Sequence, residues 1–195
     1  MKKYILMATD EFIYDRFITE FGKFPNVEIY FGSFETLADV EKVDCLVSPA
    51  NSFGLMDGGM DQAITDYFGE QLQKRVQQHI TENYASEQPV GTSFIIETHN
   101  EKIPYLAHTP TMRVPAIVKD TDNAYLAMRA TMIEAEKHEN INTVAVPAFC
   151  YGVGQMHGSD VAYQMAKAYL QIIAQPQKID WNYAMSVNYA IDKYK

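Results

Sequence analysis

The chain has 195 residues, of which 47% are hydrophobic and 21% charged, a balance that excludes disordered and coiled-coil compositions. Sixteen Lys and Arg against 25 Asp and Glu leave a formal net charge of −9, and a field of that sign disfavours DNA, RNA and anionic lipid as partners. The length suits a single domain over 1–195 rather than two.

The first apolar run, Tyr4 to Ala8, reads as a β-strand, because Asp10 and Glu11 stop it before a signal-peptide core is long enough. Asp10 to Phe21 follows with apolar residues at helical steps, and Val27 to Phe31 and Val43 to Val47 are the next strand candidates. Met60 to Thr81 carries Met60, Ile64, Phe68, Leu72, Val76 and Ile80 at steps of four, each overshooting a turn by about 40°. Such a stripe drifts off the core, so Gly69 is expected to divide the segment into two helices. Thr92 to Ile96 and Tyr105 to Ala107 read as strands, Thr121 to His138 as a helix, Thr143 to Val146 as a strand and Ser159 to Ala174 as a helix. A closing helix is expected within 175–195, with Asp180 as its N-cap. Strands alternating with helices predict an α/β layer fold. No stretch approaches the roughly 20 apolar residues that span a bilayer. Two distant cysteines, Cys45 and Cys150, fit a reducing cytoplasm better than a disulfide framework.

Two glycine-bearing loops carry the functional signal. The first runs from Ser48 through Asn51, Gly58 and Gly59 to Asp61, directly after a strand and opening a helix; the second runs from Pro147 through Cys150, Gly152, Val153 and Gly154 to Gly158, in the same context. In open α/β sheets the ligand crevice lies beyond the carboxyl ends of the strands. Glycines there either make tight turns or let backbone N–H groups converge on an anion. Neither loop fits a dinucleotide or P-loop fingerprint. Neither contains Lys or Arg from Ser48 to Ile64 or from Pro147 to Ser159, which suits a stable pyrophosphate held by backbone donors and not phosphoryl transfer.

Taken in order, these loops resemble those of the macro domain family, which binds ADP-ribose. The family's first loop reads Asn-Ala-Ala-Asn, then a glycine run, a hydrophobic residue and Asp, and here Asn51, Gly58, Gly59, Met60 and Asp61 keep that length. The second follows a strand ending in Pro, matched by Pro147 and Gly152-Val153-Gly154. The resemblance spans about 27–174, and with Ser48-Pro49-Ala50-Asn51 and Pro110 to Pro115 it is closest to a stand-alone bacterial or phage-associated subgroup. It implies a three-layer α/β/α sandwich with a mixed central sheet. It also implies an ADP-ribose-type small molecule or an ADP-ribosylated macromolecule as partner, with hydrolysis of an ADP-ribosyl ester or glycosidic bond as the enzymatic extension. A non-catalytic reader and a structural module with a vestigial cleft are the competing readings.

By that resemblance Asn51 contacts the terminal ribose and Asp61 is the acidic residue of the hydrolytic members. Read as residues alone, Asn51 is equally a turn amide bonding its own loop. Asp61 is equally a helix-start charge stabilised by the dipole, whose low pKa suits positioning water better than abstracting its proton. Gly58, Gly59, Gly152, Val153 and Gly154 are the expected pyrophosphate cradle, and Cys150 a small lining residue rather than a nucleophile. Ser33 and Phe34 stand where the family's adenine-contacting Asp follows Gly32, so relaxed base choice is expected. Asp57 replaces a usual glycine, and Gly154 an aromatic that stacks on ribose, for which Tyr151 or Phe53 are possible substitutes. Trp181 is expected to pack on the sheet or cap the cleft. His79, His99, His108, His138 and His157 show no ligand spacing, so neither a metal nor a cofactor is expected.

Overall fold

The computed structural model describes residues 1–192. Its strands are β1 (Lys3–Ala8), β2 (Val27–Phe31), β3 (Cys45–Ser48), β4 (Phe94–Glu97), β5 (Tyr105–His108) and β6 (Thr143–Pro147). Its helices are α1 (Glu11–Phe21), α2 (Phe34–Val40), α3 (Gly59–Phe68), α4 (Glu70–Tyr84), α5 (Asn123–Lys137), α6 (Gly158–Ile173) and α7 (Trp181–Asp192). The sheet order is β2-β1-β6-β3-β5-β4. Only the β4–β5 pair is antiparallel, because a short connection suffices there, whereas parallel neighbours need a helical crossover.

Strand alternation builds two cores on the two faces of this sheet. Along β1, Tyr4, Leu6 and Ala8 join the core beneath α1, α5 and α6, while Ile5 and Met7 join the core beneath α2, α3 and α4. The neighbours follow suit: Val144 and Val146 of β6 face the first layer, Ala145 the second. The result is the three-layer α/β/α sandwich with a mixed sheet that the family resemblance implied.

Asp10 starts α1 by accepting from the Ile13 amide at 3.0 Å, the N-cap bond that leaves a helix start satisfied. Gly69 does divide the long apolar segment: its φ of +86° lies in the left-handed region, where any Cβ is strained although a Cβ would meet nothing within 4 Å. Turning the chain there re-aims Leu72, Val76 and Ile80 inward, and all three are buried. The α2 helix was not expected. Its seven residues make two turns and bury only Phe34 and Leu37, too short a pattern for periodicity to register.

The closing helix forms with Asp180 accepting from the Tyr183 amide at 3.0 Å. Trp181 neither packs on the sheet nor caps the cleft. It is 83% exposed, because α7 lies on the outer side of α6 and turns Val187 and Ile191 toward the core instead.

Candidate functional site

Five connections leave the carboxyl ends of parallel strands at one end of the sheet, and together they enclose a cleft of about 620 Å³, with Thr111, Met112 and Pro115 contributed by the segment after β5. Thr9 follows β1, Gly32 to Glu35 follow β2, the first glycine loop follows β3 and the second follows β6. Every expected site residue lines it: Asn51, Gly58, Gly59 and Asp61 from the first loop, Cys150, Gly152, Val153 and Gly154 from the second, and Ser33 and Phe34 from the β2–α2 turn. Among the described residues no lysine, arginine or histidine lines it, whereas Glu35, Asp57 and Asp61 do.

The first loop is braced by Asn51. Its Oδ1 accepts from the amides of Phe53 at 3.0 Å and Leu55 at 3.3 Å, and its Nδ2 donates to the Leu55 carbonyl at 2.7 Å. The turn role that its residue type allowed is therefore present. One amide hydrogen remains beyond these bonds. Gly54, at φ +62°, lets the loop pass close over α4, where a Cβ would meet Val76 at 2.8 Å. Gly59, at φ +56°, opens α3, whose first-turn amides have no intrahelical partner.

Asp61 sits in the first turn of α3 and is only 7% exposed. The expectation that its pKa would lie low is overturned. Burial pushes the carboxyl up to about 6, opposed by the Ser48 hydroxyl that donates to Oδ1 and reinforced by the neighbouring Asp57 charge. Desolvation of a carboxylate outweighs a helix start when the site is closed to water. Ser48 itself was missed as a site residue. It is the last residue of β3, fully buried, and a hydroxyl amid the apolar residues of a central strand was the signal that could have found it.

In the second loop the carbonyls of Cys150, Gly152 and Gly154 accept from Met156, Gln155 and Val118 at 3.0, 3.0 and 2.9 Å. Gly154 is required by space, since a Cβ would lie 2.6 Å from the Cys150 carbonyl oxygen. Around Gly152 and Gly58 a Cβ would meet nothing within 4 Å. Cys150, at φ +63°, has its thiol pushed up to about 12 by burial; a neutral thiol lines the cleft rather than attacking from it. Of the proposed aromatic substitutes, Tyr151 lines the cleft and Phe53 does not. Arg113, next to Met112, whose backbone bridges to Asn51, is committed to Glu87 through bonds of 2.6 and 2.9 Å.

Glu35 is the other residue that sequence reasoning passed over. It lies one step beyond Phe34 in a helix that periodicity did not register, and its Oε2 is shut from solvent without a hydrogen-bond partner.

Residues 47–166 match the model of the family described as Macro domain. An uncharacterized protein of Aquifex aeolicus is 32% identical over 111 residues, covering 57% of this chain and 63% of that protein, so the match spans under two thirds of the relative's length. The macrodomain of Mycobacterium tuberculosis DarG superposes with a TM-score of 0.58 at 18% identity, over 68% of this chain and 85% of that one. The Oceanobacillus iheyensis macrodomain with ADP gives 0.59 at 18% identity, over 78% and 87%. A glycine-to-valine mutant of it with ADPR gives 0.58 at 18%, over 70% and 74%.

Proposed function

The chain belongs to the macro domain family, and from that premise we propose that its cleft binds the ADP-ribosyl group, free or carried on a macromolecule, and hydrolyses the ester or glycosidic bond that attaches it. One observation carries the reading: two glycine loops and a buried, high-pKa aspartate converge on a single cleft. The diphosphate is held by the amides of Gly58, Gly59, Gly152, Val153 and Gly154. Second-loop carbonyls already spent on protein donors favour this, and so does the positive end of α3. Asn51 uses its remaining amide hydrogen on a hydroxyl of the terminal ribose. The solved Oceanobacillus iheyensis complexes with ADP and ADPR support the ligand class.

In the hydrolytic step Asp61 holds and deprotonates the attacking water. With Ser48 on Oδ1, the second carboxylate oxygen is the acceptor for that water. A base whose pKa lies near 6 is mostly ionised at pH 7 yet basic enough to share a proton in the transition state. No metal or other cofactor is required in this scheme. Both cysteines are free and buried, in keeping with action in a reducing compartment such as the cytoplasm.

The test is calorimetry with ADP-ribose together with turnover of an ADP-ribosyl ester and an ADP-ribosyl glycoside. Binding in the micromolar range with product release supports the proposal, binding without release reduces the protein to a reader, and no heat at millimolar ligand removes both. The reader alternative is favoured by one feature, the commitment of the Asn51 amide to its own loop.

A further inference from the structure

Helix α7 lies beyond the stretch that matches the family model, and its two sides differ. Val187 and Ile191 pack toward the core, and the Tyr183 hydroxyl accepts from the Gln171 amide of α6 at 3.1 Å, which fixes the side that faces out. On that outer side Trp181, Met185 and Tyr189 recur at steps of four and are 83%, 42% and 67% exposed. Ile179, just ahead of the helix, is exposed as well. Residues 181–191 contain no Asp, Glu, Lys or Arg, whereas every other helix carries charge. A solvent-facing helix ordinarily turns charged or polar groups outward, so an apolar stripe without charge is a surface shaped for a partner.

We propose that this stripe is the interface between two copies of the chain, packed antiparallel about a twofold axis through Met185. The residue order around Met185 selects a second copy over other apolar partners. Aromatic residues stand four positions to either side of it, asparagines three, and the small residues Ala184 and Ser186 one. In an antiparallel pair each position lies beside its mirror position on the other helix, so Trp181 meets Tyr189 of the second copy and Met185 meets Met185. Aromatic rings pair favourably in that arrangement, and the small residues let the helices approach. Charge points the same way: at a net charge of −9 two copies repel, and they repel least where they meet through a surface that carries none. With a large aromatic burying about 150–250 Å², the four exposed side chains offer on the order of 500 Å² per copy, against the roughly 800 Å² that a standard interface takes from each partner. The polar residues beside the stripe bring the pair to the lower end of the stable range, so the dimer is reversible, with a dissociation constant on the order of 10 μM. No described residue of α7 lines the ligand cleft, and the inference does not depend on the ADP-ribosyl reading.

The experiment is sedimentation velocity of the full chain between about 1 and 200 μM, read together with the fluorescence of Trp181, the one tryptophan of the sequence. Wild type is expected to pass from the monomer mass to twice that mass, with Trp181 emission moving to shorter wavelength over the same range as the ring leaves water. Met185→Lys sets two like charges at the axis while making the chain less negative overall, so only a local contact can account for a loss. It is expected to weaken association at least about tenfold with thermal unfolding unchanged. A wild type that stays monomeric at the highest concentration overturns the proposal, and a blue shift of its Trp181 emission on phosphatidylcholine vesicles would then assign the stripe to a lipid surface instead. Dimerisation of Met185→Lys with the wild-type constant overturns it too, because the contact then lies elsewhere. So does growth past the dimer, which a closed twofold interface forbids.

Discussion

Ser48, the last residue of β3, donates its hydroxyl to the Asp61 carboxylate in the first turn of α3. Ser48 is fully buried, and Asp61 is 7% exposed where it lines the cleft. The bond ties the two ends of the first glycine loop together and holds Asp61 at the cleft wall, while Asn51 braces the loop between them.

Asp61 therefore couples stability to pH. Its carboxyl is held at about 6 in the fold against 3.8 in the unfolded chain, so the native state binds the extra proton between those values. The Asp61 contribution to stability is fully present below about pH 4 and is lost as pH rises through 6, by on the order of 3 kcal/mol. Asp61→Asn is expected to recover that amount at pH 7 and nothing below pH 4, as read by urea unfolding at the two pH values. If Asp61 also activates water, turnover falls about ten- to a thousandfold in the same variant, while ADP-ribose affinity holds or tightens as a negative charge is lost. Unchanged turnover would remove Asp61 from the chemistry.

Ser48→Ala removes the donor that lowers the Asp61 pKa. The acid limb of the pH–rate profile, expected near 6 in wild type, should move to higher pH. Unfolding at neutral pH should become easier by about 1–3 kcal/mol, the cost of leaving a buried carboxylate oxygen unpaired. An unmoved limb would mean that another group sets it.

The glycines of the two loops divide into those the fold needs and those the ligand needs. Gly154→Ala forces a Cβ to within 2.6 Å of the Cys150 carbonyl oxygen and 2.8 Å of Val118, and should lower Tm by several degrees. Gly152→Ala meets nothing within 4 Å and carries no left-handed φ. It should leave Tm unchanged and weaken ADP-ribose binding at least about tenfold, because its methyl occupies ligand space. Equal ligand affinity in wild type and Gly152→Ala would place the diphosphate elsewhere.

Salt should matter little. Among the described residues no cationic side chain lines the cleft, and three carboxylates do. The dissociation constant for ADP-ribose is expected to change by less than about threefold between low and physiological ionic strength, tightening if it changes at all as the carboxylates are screened. A steep weakening with salt would show that a cation outside the lining, such as Lys119, reaches the ligand.

The order of the strands and of the longer helices, the break at Gly69 and the position of both glycine loops beyond strand ends were legible in the sequence. Each depends on local period or backbone freedom, which neighbouring residues encode. The α2 helix escaped because two turns leave only Phe34 and Leu37 as a pattern. The state of Asp61 was misjudged for a different reason: a first-turn carboxylate looks dipole-stabilised until β3 and α3 pack and take its water away. Ser48 as its partner, the enclosed oxygen of Glu35 and the exposure of Trp181 belong to the same class. They follow from which surfaces meet across the sheet, and desolvation and hydrogen-bond pairing are properties of that meeting, not of the residues that enter it.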